Sequence, residues 1–116
     1  MIIKEKEVRQ FDFDGLKIAD YTAGLDEKSS FAVISIPPQI SHKLSWSKRS
    51  DKYYYVLAGE IDFAVNNKEF VLAAGDLCLI KKGQKFKYKN SSGKPAKMIL
   101  VHTPGFKLDR EVFEDA

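Results

Sequence analysis

Short runs of β-branched and aromatic residues recur along the sequence at intervals of about ten residues, with turn-forming residues between them. This spacing is typical of an all-β protein, because amphipathic helices need longer segments with a period near 3.6 residues. Glycine, asparagine and proline stand between the runs, where they tolerate positive φ or end a strand. Only the segment 108–115 has a helical pattern, and it is short. The sequence predicts nine strands, near residues 17–23, 31–36, 41–45, 53–58, 60–65, 69–73, 77–80, 85–90 and 96–102.

The length of the chain favours a single domain. Its 116 residues are enough for one hydrophobic core. An all-β chain with many short strands closes as a sandwich or a small barrel. The alternation of Ile61, Phe63 and Val65 with their neighbours indicates strands with one buried face and one partly solvated face. We therefore expect one domain over residues 1–116, with a barrel core over about 17–106.

Composition argues against several classes of partner. The 19 basic and 16 acidic residues leave a net charge of +3, which is too small an excess to indicate a nucleic-acid partner. No apolar run approaches the roughly 18 residues of a membrane span, so no membrane partner is expected. The first residues lack the apolar segment of a secretory signal, which favours a cytoplasmic location. Cys78 is the only cysteine, so an internal disulfide is excluded.

Two stretches of the sequence are similar to a known family. VLAGEIDFAVNNKEFVLAAGDLCLIKKGQKFKYKN, followed by VHTPGF, resembles the cupins, which are small double-stranded β-helix or jelly-roll barrels. Cupins carry two motifs, G(X)5HXH(X)3-4E(X)6G and G(X)5PXG(X)2H(X)3N. The second motif fits from Gly75 to Asn90. Lys81 occupies its proline position, Gly83 its second glycine position and Phe86 its histidine position. The resemblance implies a jelly-roll barrel, and the helical pattern of residues 108–115 adds a short helical tail.

The first motif bears on metal binding, because in the family its two histidines and glutamate hold a divalent metal together with the later histidine. When Gly59 is aligned with the last glycine of the motif, Lys52 occupies the position of the glutamate. His42 and Leu44 are assigned to the HXH pair, and the loop between this pair and Lys52 is then longer than usual. Imidazole and carboxylate suit such metals, whereas leucine and phenylalanine offer no lone pairs and lysine adds positive charge. The resemblance therefore implies a barrel that works without a metal or other cofactor.

An alternative metal site has a different set of ligands. A shift of one residue in the loop puts Asp51 in place of Lys52, and His102 on the last predicted strand can approach His42. Two histidines and one aspartate match the facial triad of some metal enzymes. The sequence thus leaves open a divalent metal held by His42, Asp51 and His102.

The positions that face inward in the family define a candidate pocket. Strand alternation puts Leu44 and Val56 in this set, together with six candidate ligand-binding residues. Those six are His42, Trp46, Lys52, Tyr54, Phe86 and Tyr88. Aromatic walls with a few polar groups are typical of a small-molecule site. The same aromatic side chains can instead fill the barrel, with His42 as a core residue, and Lys52 can pair with Asp51 or Glu60 or bind an anion.

Three functions follow from these features. The first is a metal-independent cupin barrel that binds a small polar or anionic molecule, such as a sugar or a carboxylate. Some cupin isomerases work without a metal through histidine and tyrosine, a role open to His42 with Tyr54 or Tyr88. The second is a non-catalytic sensor or dimerisation module, and the third is a metal-dependent isomerase or dioxygenase with rearranged ligands. A homodimer is expected because Tyr53, Tyr55 and Leu57 point away from the barrel.

Overall fold

The computed structural model describes residues 1–114 of the chain. Within them, eleven strands and two short 3-10 turns follow one another. All nine predicted strands are confirmed, and two strands, β1 and β11, were not predicted. The strands are β1 (Gln10–Phe13), β2 (Leu16–Asp20), β3 (Ser30–Ile36), β4 (Ser41–Ser47), β5 (Asp51–Ala58), β6 (Glu60–Val65), β7 (Lys68–Ala73), β8 (Leu77–Ile80), β9 (Phe86–Lys89), β10 (Ala96–Thr103) and β11 (Glu111–Phe113).

The strands form two antiparallel sheets that close around one core. The first sheet has the order β1-β2-β3-β10-β5-β8, and the second has the order β11-β4-β9-β6-β7. Alternate residues of both sheets point inward, which places Ile34, Val56, Ile61, Phe63 and Met98 in a fully buried core. The architecture is the all-β jelly roll that the sequence predicts.

Residues with positive φ make the turns that this path requires. Asn66 and Asn67, with φ of 49° and 67°, form the two-residue hairpin between β6 and β7. Gly59, with φ of 80°, joins β5 to β6. A Cβ atom on Gly59 would lie 2.9 Å from the Cβ of Ala96, so a side chain has no space there.

The tail differs from the predicted helix. Leu108–Arg110 form a single 3-10 turn, and the chain then continues as the strand β11. β11 pairs with the open edge of β4, with Glu111 opposite Ser47 and Phe113 opposite Ser45. The helical prediction was wrong because a short helix is marginal in water, whereas strand pairing buries side chains of this segment. Residue 115 of the predicted helix lies outside the described residues.

Within residues 1–114, no helix is long and apolar enough to cross a bilayer.

Candidate functional site

A cavity of about 370 Å³ lies inside the barrel, with walls supplied by both sheets. Apolar and aromatic side chains make most of its surface, among them Phe13 of β1 and Phe113 of β11. Its polar groups come from seven strands, and Asp12 of β1 and Asp20 of β2 are two of them. The others include His42, Lys52, Tyr54, Tyr88, His102 and Glu111. A mostly apolar cavity with a small number of polar groups is the usual form of a small-molecule site.

Lys52 is the centre of a buried charged cluster. Its side chain is 6% exposed, and its Nζ forms an ion pair with Oε1 of Glu111, whose side chain is 3% exposed. The same Nζ lies 3.0 Å from Nε2 of His102 and 5.4 Å from the centre of the Phe86 ring. Because an ammonium group has only donors, Nε2 of His102 accepts this hydrogen bond and the ring carries its proton on Nδ1.

Burial keeps the two histidines of the chain neutral. It lowers the pKa of His42 to about 4 and that of His102 to about 3. Burial also lowers the pKa of Lys52, although the neighbouring Glu111 acts in the opposite direction. At neutral pH the cavity therefore contains two uncharged imidazoles beside one compensated pair of opposite charges.

His42 and two tyrosines form the aromatic side of the cavity. The ring centre of His42 lies 5.2 Å from that of Phe86 and 5.0 Å from that of Tyr88, and the rings of Tyr54 and Tyr88 are 5.5 Å apart. Nδ1 of His42 donates to the carbonyl oxygen of Lys43 at 2.7 Å, which leaves Nε2 with a free lone pair for accepting a proton. Burial raises the pKa of both tyrosines, so their hydroxyls stay protonated. The aromatic side of the cavity therefore offers a neutral imidazole acceptor and neutral phenol groups to a ligand.

A β-bulge in β4 changes which of its residues point inward. His42 pairs with Tyr88 and Ser45 pairs with Phe86, so three steps along β4 match two along β9. The extra residue reverses the alternation of side chains beyond it. The predicted inward positions of Leu44 and Trp46 are therefore wrong, and Ser45 and Ser47, each 2% exposed, face the interior instead. The Trp46 ring does not line the cavity; the exposed Lys85 lies over it, with Nζ 4.7 Å from the ring centre.

This register also corrects the assignment of the family's metal positions. Ser45 and Ser47 match the HXH pair with the usual spacing to Lys52 and Gly59, and no longer loop is needed. Gln39, at the first glycine of the motif, has φ of 67°, a conformation that glycine adopts readily. The four metal positions are thus Ser45, Ser47, Lys52 and Phe86.

These four side chains do not fit a divalent metal. Two hydroxyls, one ammonium and one phenyl ring provide neither the imidazole nor the carboxylate ligands that such ions need. Within residues 1–114, no group of three or more histidine, cysteine, aspartate or glutamate side chains is arranged to hold a metal ion.

Asp51 points away from the cavity. Its carboxylate accepts a hydrogen bond from the backbone N–H of Lys82 at 2.8 Å and from Nζ of Lys81 at 3.4 Å. The structure therefore does not bring Asp51 together with His42 and His102, and Lys52 is the residue that faces the interior. The partner of Lys52 is Glu111 rather than Asp51 or Glu60.

Of the six candidate ligand-binding residues, four line the cavity: His42, Lys52, Tyr54 and Tyr88. Phe86 packs behind them against His42, and Trp46 lies outside. Sequence reasoning missed Glu111, Phe113 and Phe13, which belong to the two strands that were not predicted. The only signal for β11 is the alternation in Glu-Val-Phe, which is too short to distinguish a strand from a helical turn.

Comparison with known proteins identifies the family of this barrel. A family model described as the cupin domain matches residues 32–102, and the chain belongs to the cupin family. The resemblance seen in the sequence is thereby confirmed. No curated protein matches the chain in sequence.

Several solved structures share the fold. Streptomyces Pac13, described as a nucleoside dehydratase, has a TM-score of 0.86 at 20% identity, with 98% of this chain and 90% of Pac13 covered. A Thermotoga maritima protein, described as a predicted oxalate decarboxylase, has a TM-score of 0.79 at 22% identity, with 90% and 99% covered. Drosophila melanogaster CENP-C, solved bound to CAL1, has a TM-score of 0.76 at 18% identity, with 88% and 85% covered. At such identities the likeness extends to the fold alone.

Proposed function

We propose that the barrel binds a small neutral molecule that has a flat apolar part and hydroxyl groups, without the help of a metal. The observation that carries this proposal is the buried Lys52–Glu111 pair within an otherwise aromatic cavity. The aromatic wall suits a ring, and the polar cluster suits hydroxyl groups.

The pairing of Lys52 changes the kind of ligand that is expected. An unpaired lysine would favour a carboxylate or another anion, as the sequence suggested. Here Glu111 compensates the charge of Lys52, and the nearby His42 and His102 are uncharged. An anion would enter a cavity with no net positive charge and would lose its hydration, which is unfavourable. A neutral sugar or nucleoside therefore fits better than a carboxylate.

Pac13 supports a nucleoside as the first ligand to test. Variants of Pac13 with a substituted histidine or a substituted tyrosine have been solved with uridine. The cavity of the present chain likewise contains one histidine and two tyrosines on its aromatic side, His42, Tyr54 and Tyr88.

The test is calorimetric titration with uridine in the presence of a chelator. We expect binding to the parent chain, and a ligand at a hundred times its Kd should add about 2.7 kcal/mol to the free energy of unfolding. The double variant Lys52→Met with Glu111→Leu removes the polar cluster as a pair and should fold but bind at least about tenfold more weakly. Equal affinity for uridine in the parent and the double variant would show that the polar cluster takes no part in binding. Loss of binding on chelation would contradict metal independence.

A second candidate, a dimerisation module, is favoured by the outer face of the first sheet. Two rows of apolar side chains cross β8, β5, β10 and β3 on this face. The rows are Leu79–Tyr53–Val101–Phe31 and Leu77–Tyr55–Ile99–Val33. Asp51 lies at one end of this face and Lys97 at the other, so two copies placed antiparallel complement each other in apolar surface and in charge.

We predict that the chain is a homodimer through this face. Changing Tyr55 and Leu77, which are paired neighbours on β5 and β8, to lysine should give a monomer because four like charges would be buried at the interface. Light scattering at micromolar concentration measures the mass. Val71→Lys is the matched control, since Val71 is 65% exposed on the second sheet and its change should leave the dimer intact. A monomeric parent would refute the interface.

A further inference from the structure

Two buried oxygen atoms in the cavity wall make no well-formed hydrogen bond within residues 1–114, and the hydroxyl of Tyr54 interacts with one of them, that of Tyr88. They are the hydroxyl of Tyr88, whose residue is 2% exposed, and Oε2 of Glu111, whose side chain is 3% exposed. Buried polar groups are nearly always paired, because leaving one unpaired costs the free energy of its lost hydration. Both residues line the same cavity as His42 and Lys52.

The proposed function supplies partners for these atoms. We propose that the Tyr88 hydroxyl and the Oε2 atom of Glu111 recognise hydroxyl groups of a neutral ligand, of the kind that a ribose carries on adjacent carbons. This inference rests on the proposed function and names the groups that select the ligand.

The chemistry of the two oxygens restricts what they can bind. A carboxylate oxygen only accepts hydrogen bonds, so the ligand atom at Glu111 must be a donor. A phenol hydroxyl both donates and accepts, so a second ligand hydroxyl suits Tyr88. A phosphate or carboxylate oxygen at Glu111 would be repelled by like charge, whereas a ligand hydroxyl would form a charge-assisted hydrogen bond.

The neighbouring contacts hold Glu111 in position for this role. Its other oxygen, Oε1, is engaged by Lys52, which is itself held by His102. The strand β11 begins at Glu111 and pairs with β4 along its whole length, with Glu111 opposite Ser47 and Phe113 opposite Ser45. Only Oε2 is left to meet a ligand.

The test compares uridine with 2′,3′-dideoxyuridine, which lacks both ribose hydroxyls, by calorimetric titration. The parent should bind uridine about ten- to a hundredfold more tightly, as expected for two hydrogen bonds, one of them to a charged group. Tyr88→Phe should weaken uridine binding about five- to tenfold and leave dideoxyuridine binding unchanged. Its melting temperature should fall little, because the removed hydroxyl makes no well-formed hydrogen bond within residues 1–114.

Two further variants complete the experiment. Tyr55→Phe removes a hydroxyl from the outer face of the strand that carries Tyr54. It should change neither the affinity for uridine nor the affinity for dideoxyuridine. Glu111→Gln keeps an oxygen for Lys52 but loses the charged acceptor Oε2. It should therefore reduce the preference for uridine over dideoxyuridine and leave the part that Tyr88 contributes.

The outcomes separate this inference from the proposed function. Equal binding of both probes by the parent, or an equal loss for both in Tyr88→Phe, would overturn the recognition of hydroxyls while leaving a binding barrel. Failure of the parent to bind either probe would overturn the inference together with the proposed ligand class.

Discussion

Replacing Lys52 by methionine alone is expected to lower the free energy of unfolding by about 3–5 kcal/mol, because it leaves the carboxylate of Glu111 buried without its partner. Both side chains are almost completely buried, so water cannot replace the lost contact. His102 also loses the donor to its Nε2. Urea denaturation at pH 7 measures the change.

The double variant Lys52→Met with Glu111→Leu is the decisive comparison. It removes both charges, and replacing a buried ion pair with apolar residues is often neutral or stabilising by about 1–4 kcal/mol. We therefore expect the second substitution to restore the stability that the first one removes. Lys81→Met is the matched control, because Lys81 pairs with Asp51 at an exposed position where an ion pair contributes about 1 kcal/mol or less. A Lys52→Met variant as stable as the double variant would show that leaving Glu111 without its partner does not destabilise the fold.

The fold was largely predictable from the sequence, because the patterns that indicate a strand or a turn lie within the residues of that strand or turn. Apolar alternation fixed the strands of the barrel, and the asparagine and glycine positions fixed the turns, as at Asn66 and Gly59. The two missed strands, β1 and β11, are four and three residues long, and their alternation is too short to distinguish a strand from a turn. β1 is mostly exposed, and β11 becomes a strand only by pairing with β4, a contact between distant parts of the chain.

The site was less predictable because its geometry depends on contacts that are remote in sequence. Lys52 and Glu111 are 59 residues apart, and nothing near either residue indicates the other. The bulge in β4 leaves no mark in composition, yet it moves Leu44 and Trp46 to the outside and Ser45 and Ser47 to the inside. His42 precedes the bulge and Lys52, Tyr54 and Tyr88 lie on other strands, so strand alternation placed these four residues in the cavity.

The bulge leads to a prediction about metal binding. If the family's four metal positions are Ser45, Ser47, Lys52 and Phe86, changing them to His, His, Glu and His should create a site for zinc or nickel. Three imidazoles and one carboxylate are a ligand set that these metals accept. We expect the variant to bind zinc with a Kd of about 1 µM or tighter, which corresponds to about 8 kcal/mol.

Metal should also stabilise this variant. The loss of the buried Phe86 ring is expected to destabilise the metal-free form by up to about 3–5 kcal/mol, and Glu at position 52 would face Glu111 without compensation. A metal that binds only the folded form reverses this loss. Melting scans of parent and variant, with and without zinc, measure the recovery, and a variant that folds only on addition of zinc meets the same expectation.

A matched control distinguishes the two registers of β4. The variant Leu44→His, Lys52→Glu and Phe86→His keeps His42 and places its second histidine on the outer side of the bulge. His42 is present in both variants, so the control has two fewer imidazoles facing the interior, and it should bind zinc at least about a hundredfold more weakly than the quadruple variant, a difference of about 2.7 kcal/mol. Tighter binding by this control would mean that Leu44 faces the cavity and that the bulge does not form as described, because only the register without a bulge brings positions 42 and 44 to the same side of the strand.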